Sequence, residues 1–204
     1  MNLIDCVNRV MMLIGENKVK SVNSTNISSM CGQAASDAYT ALCGEAPWSW
    51  GERIVTPSEW GPDYAKLDEN VADVKRVYFN GRELRYMSTA DILSQHVYNG
   101  HPSFWSYLGR ELYFSPFPNE PEAQLKIKLL VQYHNYLDPT RDDEVVDIPR
   151  ELEYLLVLRA CMSMASYHVQ DANMANSFGG EYARLLTQMK HRFTTSQKSN
   201  SAIA

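Results

Sequence analysis

The run AQLKIKLLVQYHNYLDPTRDDEVVDIPRELEYLLVLRACMSMASYHV, from Ala123 to Val169, places a strand pattern, a helix start and an apolar helix one after another. Leu125, Ile127, Leu129, Val131 and Tyr133 alternate with Lys126, Lys128, Leu130, Gln132 and His134, the period of two expected of a strand with one buried face. After the acidic stretch Asp138 to Asp147, the triplet Asp147, Ile148 and Pro149 supplies a cap, a staple-type apolar residue and a first-turn proline. Glu151 and Glu153 suit the positive end of the helix dipole that follows.

From Leu152 to Tyr167 the apolar residues are too numerous for one stripe, so this helix is expected to be buried on nearly all sides. Arg159 in mid-span and the polar Gln170, Asp171 and Asn173 beyond it argue against a membrane span. An arginine on a central helix needs a partner, and a carboxylate from a neighbouring helix is the expected one.

Working toward the N-terminus, Leu3, Ile4, Val7, Val10, Met11 and Ile14 recur at helical spacing up to Gly15. A second helix, capped by Ser28 or Ser29, carries Cys31, Ala34, Ala35, Ala38, Tyr39 and Leu42 and stops at Gly44 and Pro47. Trp48 and Trp50 follow as anchors of a helix-to-sheet junction. Between these helices and the central one, helical periodicity gives way to short alternating runs. Ile54 and Val55 begin a strand. Val74 to Phe79, Asn80-Gly81 and Glu83 to Met87 read as a hairpin, Thr89 to Tyr98 as a short helix, and Ser103 to Tyr107 with Glu111 to Ser115 as a second hairpin. Beyond the central helix, Met174 to Phe193 reads as a last helix that packs back on it, with Gly179-Gly180 a weak point.

The expected fold class is therefore α+β: an antiparallel helical bundle from residues 1–50 and 147–193, a β-rich insertion over 51–146, and a flexible tail over 194–204 whose Ser, Thr, Asn and Gln composition gives no core of its own. At 204 residues the chain buries a sizeable core without needing a cofactor.

Composition excludes some functions. A net charge of −5 argues against a broad basic surface that grips nucleic acid. The four cysteines, Cys6, Cys31, Cys43 and Cys161, contain no CxxC pair and fall on expected helices. Cys31 and Cys43 would stand about 18 Å apart along one helix, too far to bridge, so buried thiols and a reducing compartment are expected. The N-terminus lacks the pattern of an export signal, and the expected location is the cytoplasm until assembly.

No phosphate-binding loop, dinucleotide fingerprint, nucleophile elbow or zinc spacing occurs. His96 and His101 lie near Trp105 without further ligands, and Asp142, Asp143, Glu144 and Asp147 lack the glycine and ligand spacing of a calcium loop, which favours a solvated turn. Trp48, Trp50, Trp60 and Trp105 are expected to anchor cores or interfaces rather than to stack on sugars or bases.

Three places resemble the head-to-tail adaptors of short-tailed phages, the tail tubular protein A family. They are Val7-Asn8 through Leu13-Ile14-Gly15-Glu16 with Val19 and Ser21-Val22; the second helix running into Trp48-Ser49-Trp50; and Gly109-Arg110-Glu111-Leu112-Tyr113-Phe114-Ser115-Pro116 with Tyr133, His134, Tyr136 and Asp147-Ile148-Pro149. The pattern covers most of the chain, leaving out Tyr64 to Asp73 and the tail from Thr194. The departure over Gly61 to Asp73 leaves the strand order of the insertion open.

That resemblance implies a structural virion protein with no enzymatic activity and no cofactor. It implies a ring of copies of itself, a dodecamer, joining the portal protein to the tail nozzle protein, with DNA passing through unbound by sequence and no membrane contact. Trp105 and Tyr107 on the second hairpin, and Thr194, Ser196 and Lys198 in the tail, are the candidate interface residues. Two other readings are a tail-associated polysaccharide-degrading enzyme, motivated by the tryptophans and acids, and a cytoplasmic binding module. Association with portal discriminates them, since an adaptor needs no turnover and an enzyme needs no ring.

Overall fold

The computed structural model describes residues 1–94, 98–134 and 136–193. Six α-helices and two sheets make up an α+β protein of two compact units: one from Met1–Trp50 and the chain after His134, the other from Gly51–His134. No helix of the described residues is long and apolar enough to cross a membrane.

In the helical unit, α1 (Leu3–Leu13) buries Leu3, Cys6, Val7, Val10 and Met11 on one face. Gly15, at φ +87°, turns the chain out of the helix. A short 3-10 turn, Val22–Ser24, then leads into α2 (Asn26–Gly44). The cap of α2 is Thr25 rather than Ser28 or Ser29. Thr25 Oγ1 accepts from the Ser28 N–H at 3.0 Å, and Ser28 Oγ accepts from the Thr25 N–H at 3.0 Å, a reciprocal pair that satisfies two otherwise orphaned donors. Gly32 sits mid-helix because a Cβ there would lie 2.7 Å from the Pro139 carbonyl oxygen, so α2 and the loop after the β unit meet backbone to backbone. Trp48 is fully buried in this core and its Nε1 donates to the Leu42 carbonyl at 2.6 Å, tying the end of α2 to the exit of the helix.

In the β unit, β1 is Glu52–Val55, β2 Glu59–Trp60, β3 Ala65–Lys66, β4 Val71–Phe79, β5 Arg82–Glu83 and β6 Arg85–Tyr86. After the short helix α3 (Thr89–Ser94) come β7 (Phe104–Leu108) and β8 (Glu111–Ser115), then the single turn α4 (Pro121–Gln124) and β9 (Ile127–Tyr133). One sheet has the order β1-β9-β4-β5 and the other β2-β3-β8-β7-β6. Val74, Val77, Ile127, Leu129 and Val131 of the first share a core with Ala65, Trp105, Leu112 and Phe114 of the second, so the sheets meet across their apolar faces.

The expected alternation holds in β9 as far as Val131, with Ile127, Leu129 and Val131 fully buried and Lys128 exposed, and it breaks at Gln132, which is buried at 5% exposure next to a half-buried Tyr133. It fails at Leu125, which is 74% exposed, because the α4 turn carries the chain through Leu125 before the strand begins. The Asn80-Gly81 hairpin is present, with φ +50° and +78° at its two turn residues, but its return arm is cut short. Leu84 donates to the Val77 carbonyl, and the next residue already bonds Ser103, so the chain changes sheets and β6 runs parallel to β7. The short helix is described over Thr89–Ser94; the expected stretch beyond it includes 95–97, which lie outside the described residues.

Back in the helical unit, the central helix α5 (Glu153–Met164) starts from a 3-10 turn at Arg150–Leu152, with Pro149 in the capping position and no side-chain cap bond there. Proline fixes the entry φ and removes one orphan donor at the start of the helix. Leu155, Leu156, Val157, Leu158, Ala160, Cys161 and Met164 are all buried, and a π-turn, Ala165–Val169, closes the helix at Gln170 in the left-handed region. The last helix, α6 (Ala172–Phe193), runs unbroken through Gly179-Gly180 and lays Phe178, Tyr182, Leu185, Leu186, Met189 and Phe193 against the core around α5.

The four cysteines are buried and unbridged. Burial pushes the thiols of Cys6, Cys31 and Cys161 up to about 12 and that of Cys43 to about 11. A thiol whose folded pKa is raised contributes stability that is present below its ordinary value of 9.0 and is lost as pH rises toward the folded value. The denaturation midpoint is therefore expected to fall between pH 9 and 11, and native protein to resist thiol reagents at pH 8 until unfolded; labelling of all four sites at the unfolded rate would contradict this burial. Leu155, at 1% exposure, tests the helical core. Leu155→Ala is expected to cost about 2 to 5 kcal/mol in urea unfolding, and a loss below about 1 kcal/mol would mean the side chain is not enclosed.

Candidate assembly surfaces

The acidic stretch after the β unit keeps exposed acids on a turn, as its composition implies, and also forms a clasp on the start of α1. The Leu3 and Ile4 N–H groups, unpaired within α1, donate to the Glu144 and Asp142 carbonyls at 2.9 and 3.3 Å. The Val146 N–H donates to the Met1 carbonyl at 3.0 Å, and Asn2 and Val145 form an antiparallel bridge. The Asp142 carboxylate accepts from the Val22 N–H at 2.6 Å and from Ser21 Oγ at 3.2 Å, and Asn23 Nδ2 donates to the Thr140 carbonyl at 2.9 Å. Charge-assisted bonds to backbone N–H groups are among the stronger ones available. With these inward contacts made, Asp143, Val145 and Asp147 remain on the solvent side of the clasp. Among the described residues no group of three or more His, Cys, Asp or Glu is placed to hold a metal ion.

The β unit contains a cleft of about 630 Å³ between the Asn80-Gly81 turn and the start of β7. Phe79, Leu84, Pro102 and Phe104 give it apolar walls, while Arg82, Arg85 and Lys126 stand exposed around it. None of these three cations makes an ion pair with a described residue. Glu83, also at the cleft, lies 3.5 Å from Arg76, which offsets its charge. His101 packs its ring 5.3 Å from Phe79. Nothing local in the sequence marks this group, because residue 126 reaches residues 82 and 85 only through the pairing of β4 with β9.

The structure places Trp105 in the β core at 4% exposure, its ring stacked 6.1 Å from Tyr107 and edge-on to Tyr86 at 5.2 Å. Tyr107 is half-buried and its hydroxyl donates to Asp73 at 2.7 Å; that hydrogen bond, with burial, pushes the phenol up to about 12. These two rings lie side by side on β7. Thr194, Ser196, Lys198 and His96 lie outside the described residues.

Arg159 has a different partner from the expected carboxylate. Its guanidinium lies over the Tyr182 ring of α6, 5.5 Å from the centroid, a contact that suits a weakly hydrated planar cation on a half-buried position. Carboxylates serve elsewhere: Glu153 pairs with Arg9 of α1 at 3.2 Å, Glu45 with Lys190 at 3.0 Å and Glu151 with Arg192 at 3.3 Å, the last two holding the end of α6.

Asp142→Ala leaves the Val22 N–H without its acceptor and is expected to cost about 1 to 3 kcal/mol, with exchange at the Leu3 and Ile4 amides accelerated. Unchanged exchange at those amides would mean the clasp does not depend on Asp142.

A family model described as SU10 adaptor protein matches residues 1–203. No curated protein matches the sequence. The chain belongs to the SU10 adaptor family, a family of phage head-to-tail adaptors, and is a phage structural adaptor and virion component that associates with other head and tail components.

Proposed function

Taking membership of the SU10 adaptor family as the premise, we propose that the chain is an adaptor subunit of the tail tubular protein A kind. Twelve copies form a ring that joins the portal to the tail nozzle and surrounds the path by which the genome leaves. The helices form an antiparallel bundle and the β unit is its insertion. The subunit waits in the host cytoplasm until it assembles, and it acts through shape and contact rather than turnover. The observation that carries the reading is the family match over nearly the whole chain.

Charge supports it: at −5 overall, the protein attracts passing DNA little, as a conduit requires. Trp105 and Tyr107 then act together, the buried ring of Trp105 fixing the neighbouring Tyr107 for contact with a partner. Thr194, Ser196 and Lys198 supply a docking segment for the portal, repeated around the ring so that weak individual contacts add by avidity.

The test is native mass measurement of the purified chain mixed with portal rings. A complex carrying twelve copies is the expected result, and no association at any concentration would overturn the reading. Deleting residues 194–204 is expected to leave the melting temperature within about 2 °C of the full chain while weakening portal binding. Equal binding by the truncated protein would remove the tail from the contact. Polysaccharide cleavage abolished by one carboxylate-to-amide change would restore the enzyme reading.

A further inference from the structure

The cleft of the β unit and the clasp of the helical unit are chemically complementary, and both are exposed on the same chain. The cleft has apolar walls of Phe79 and Phe104 and three cations, Arg82, Arg85 and Lys126, without ion-pair partners among the described residues. The clasp presents Asp143 at 78% side-chain exposure, its carboxylate 3.4 Å from the exposed Arg141 guanidinium, then Val145 at 65%, and the exposed Asp147: an acid, an aliphatic residue and an acid at alternate positions. Val145 is extended in its bridge with Asn2, and Asp143 sits in the turn closed by the Glu144 N–H donating to the Arg141 carbonyl at 3.3 Å, so the three side chains form one short exposed edge.

We infer that the cleft of one copy receives the Asp143, Val145 and Asp147 edge of a second copy, and that this is the subunit-to-subunit contact of the proposed ring. The inference rests on the ring reading and names the surfaces that build it. Val145 enters between the aromatic walls while the two carboxylates meet the arginines and the lysine. Removing a large exposed aliphatic side chain from water gives the contact its drive, and the flanking charges fix its register. Donor and acceptor are different surfaces, so the contact is head-to-tail, the type that closes into a ring when its rotation permits.

Nucleic acid is the less suitable occupant. A phosphate backbone calls for a broad basic stripe on a protein of opposite charge, whereas here the cations surround apolar walls on a protein of net charge −5. A peptide edge carrying both acids and an aliphatic residue uses both parts of the cleft.

The test uses charge reversal in the full chain, read by light-scattering mass with and without portal rings. Arg85→Glu with Lys126→Glu destroys the acceptor, and Asp143→Arg damages the donor. Each protein alone is expected to assemble about tenfold or more weakly than wild type, since like charges then face each other, with an unchanged melting temperature. An equimolar mixture of the two is expected to recover assembly, because the acidic cleft of one then meets the arginine of the other and the remaining surfaces are native. The milder Arg82→Gln with Lys126→Gln pair keeps the test valid should the reversed cleft misfold; it too is expected to weaken assembly.

Cleft variants that assemble as wild type does, or a mixture no larger than its components, would overturn the inference and leave the ring reading standing. Intact self-association with lost portal or DNA binding would put another occupant in the cleft and overturn it as well. A wild-type chain that stays monomeric in both conditions would overturn both.

Discussion

The half-buried Asp142 carboxylate, accepting from the Val22 N–H at 2.6 Å, is the contact through which the helical unit closes. It joins chain segments 120 residues apart, and around it the Asp142 and Glu144 carbonyls receive the first donors of α1. The first N–H groups of a helix have no acceptor within it, and leaving them unpaired away from water costs as much as a lost hydrogen bond. The clasp provides them from the far side of the insertion. The β unit tolerates that arrangement because β1 and β9, its first and last strands, pair directly, with Glu52 opposite Gln132. The chain enters and leaves it side by side, so interrupting the helical unit costs little loop entropy.

Once closed, the helical unit is organised around α5, whose buried faces meet α1, α2 and α6. The four thiols lie within this core and act as small apolar side chains, their ionisation suppressed by burial. The outermost helix, α6, is held differently: Tyr182 is its buried residue, and partial apolar contacts are supplemented by Arg159 over the Tyr182 ring and by ion pairs at Lys190 and Arg192. Surface ion pairs, exposed at Arg192 and half-buried at Lys190, stabilise little, so α6 depends on its partly buried stripe of Phe178, Leu185, Leu186 and Met189.

For an adaptor, the surface matters as much as the core. In the proposed ring, a net negative protein with a local group of cations that make no ion pair with a described residue would separate two tasks: low affinity for a polyanion overall, and a specific place where an acidic edge is attracted. The acid-rich segment contributes to both through alternate residues. Asp142 and the carbonyls of 142 and 144 face inward to hold the fold, while Asp143, Val145 and Asp147 face outward.

Periodicity alone determined the apolar faces of α1, α2 and α5, the alternation of β9 up to Val131 and the Asn80-Gly81 turn, because each is set by neighbours a few residues away. It misplaced what depends on distant partners. The cap of α2 moved to Thr25 because Ser28 is buried against Val22; the arm after Gly81 switched sheets because Leu84 is drawn to Val77 and Arg85 to Ser103; and Arg159 found an aromatic ring on α6 where a carboxylate was expected. The cleft cations were invisible in the sequence because Arg82 lies on the short hairpin arm, Arg85 on the strand of the other sheet that follows it, and Lys126 just before a strand 41 residues after Arg85. Local sequence fixes which face of an element is apolar; only long-range backbone pairing decides which polar groups are brought together, and that pairing is where both the clasp and the cleft come from.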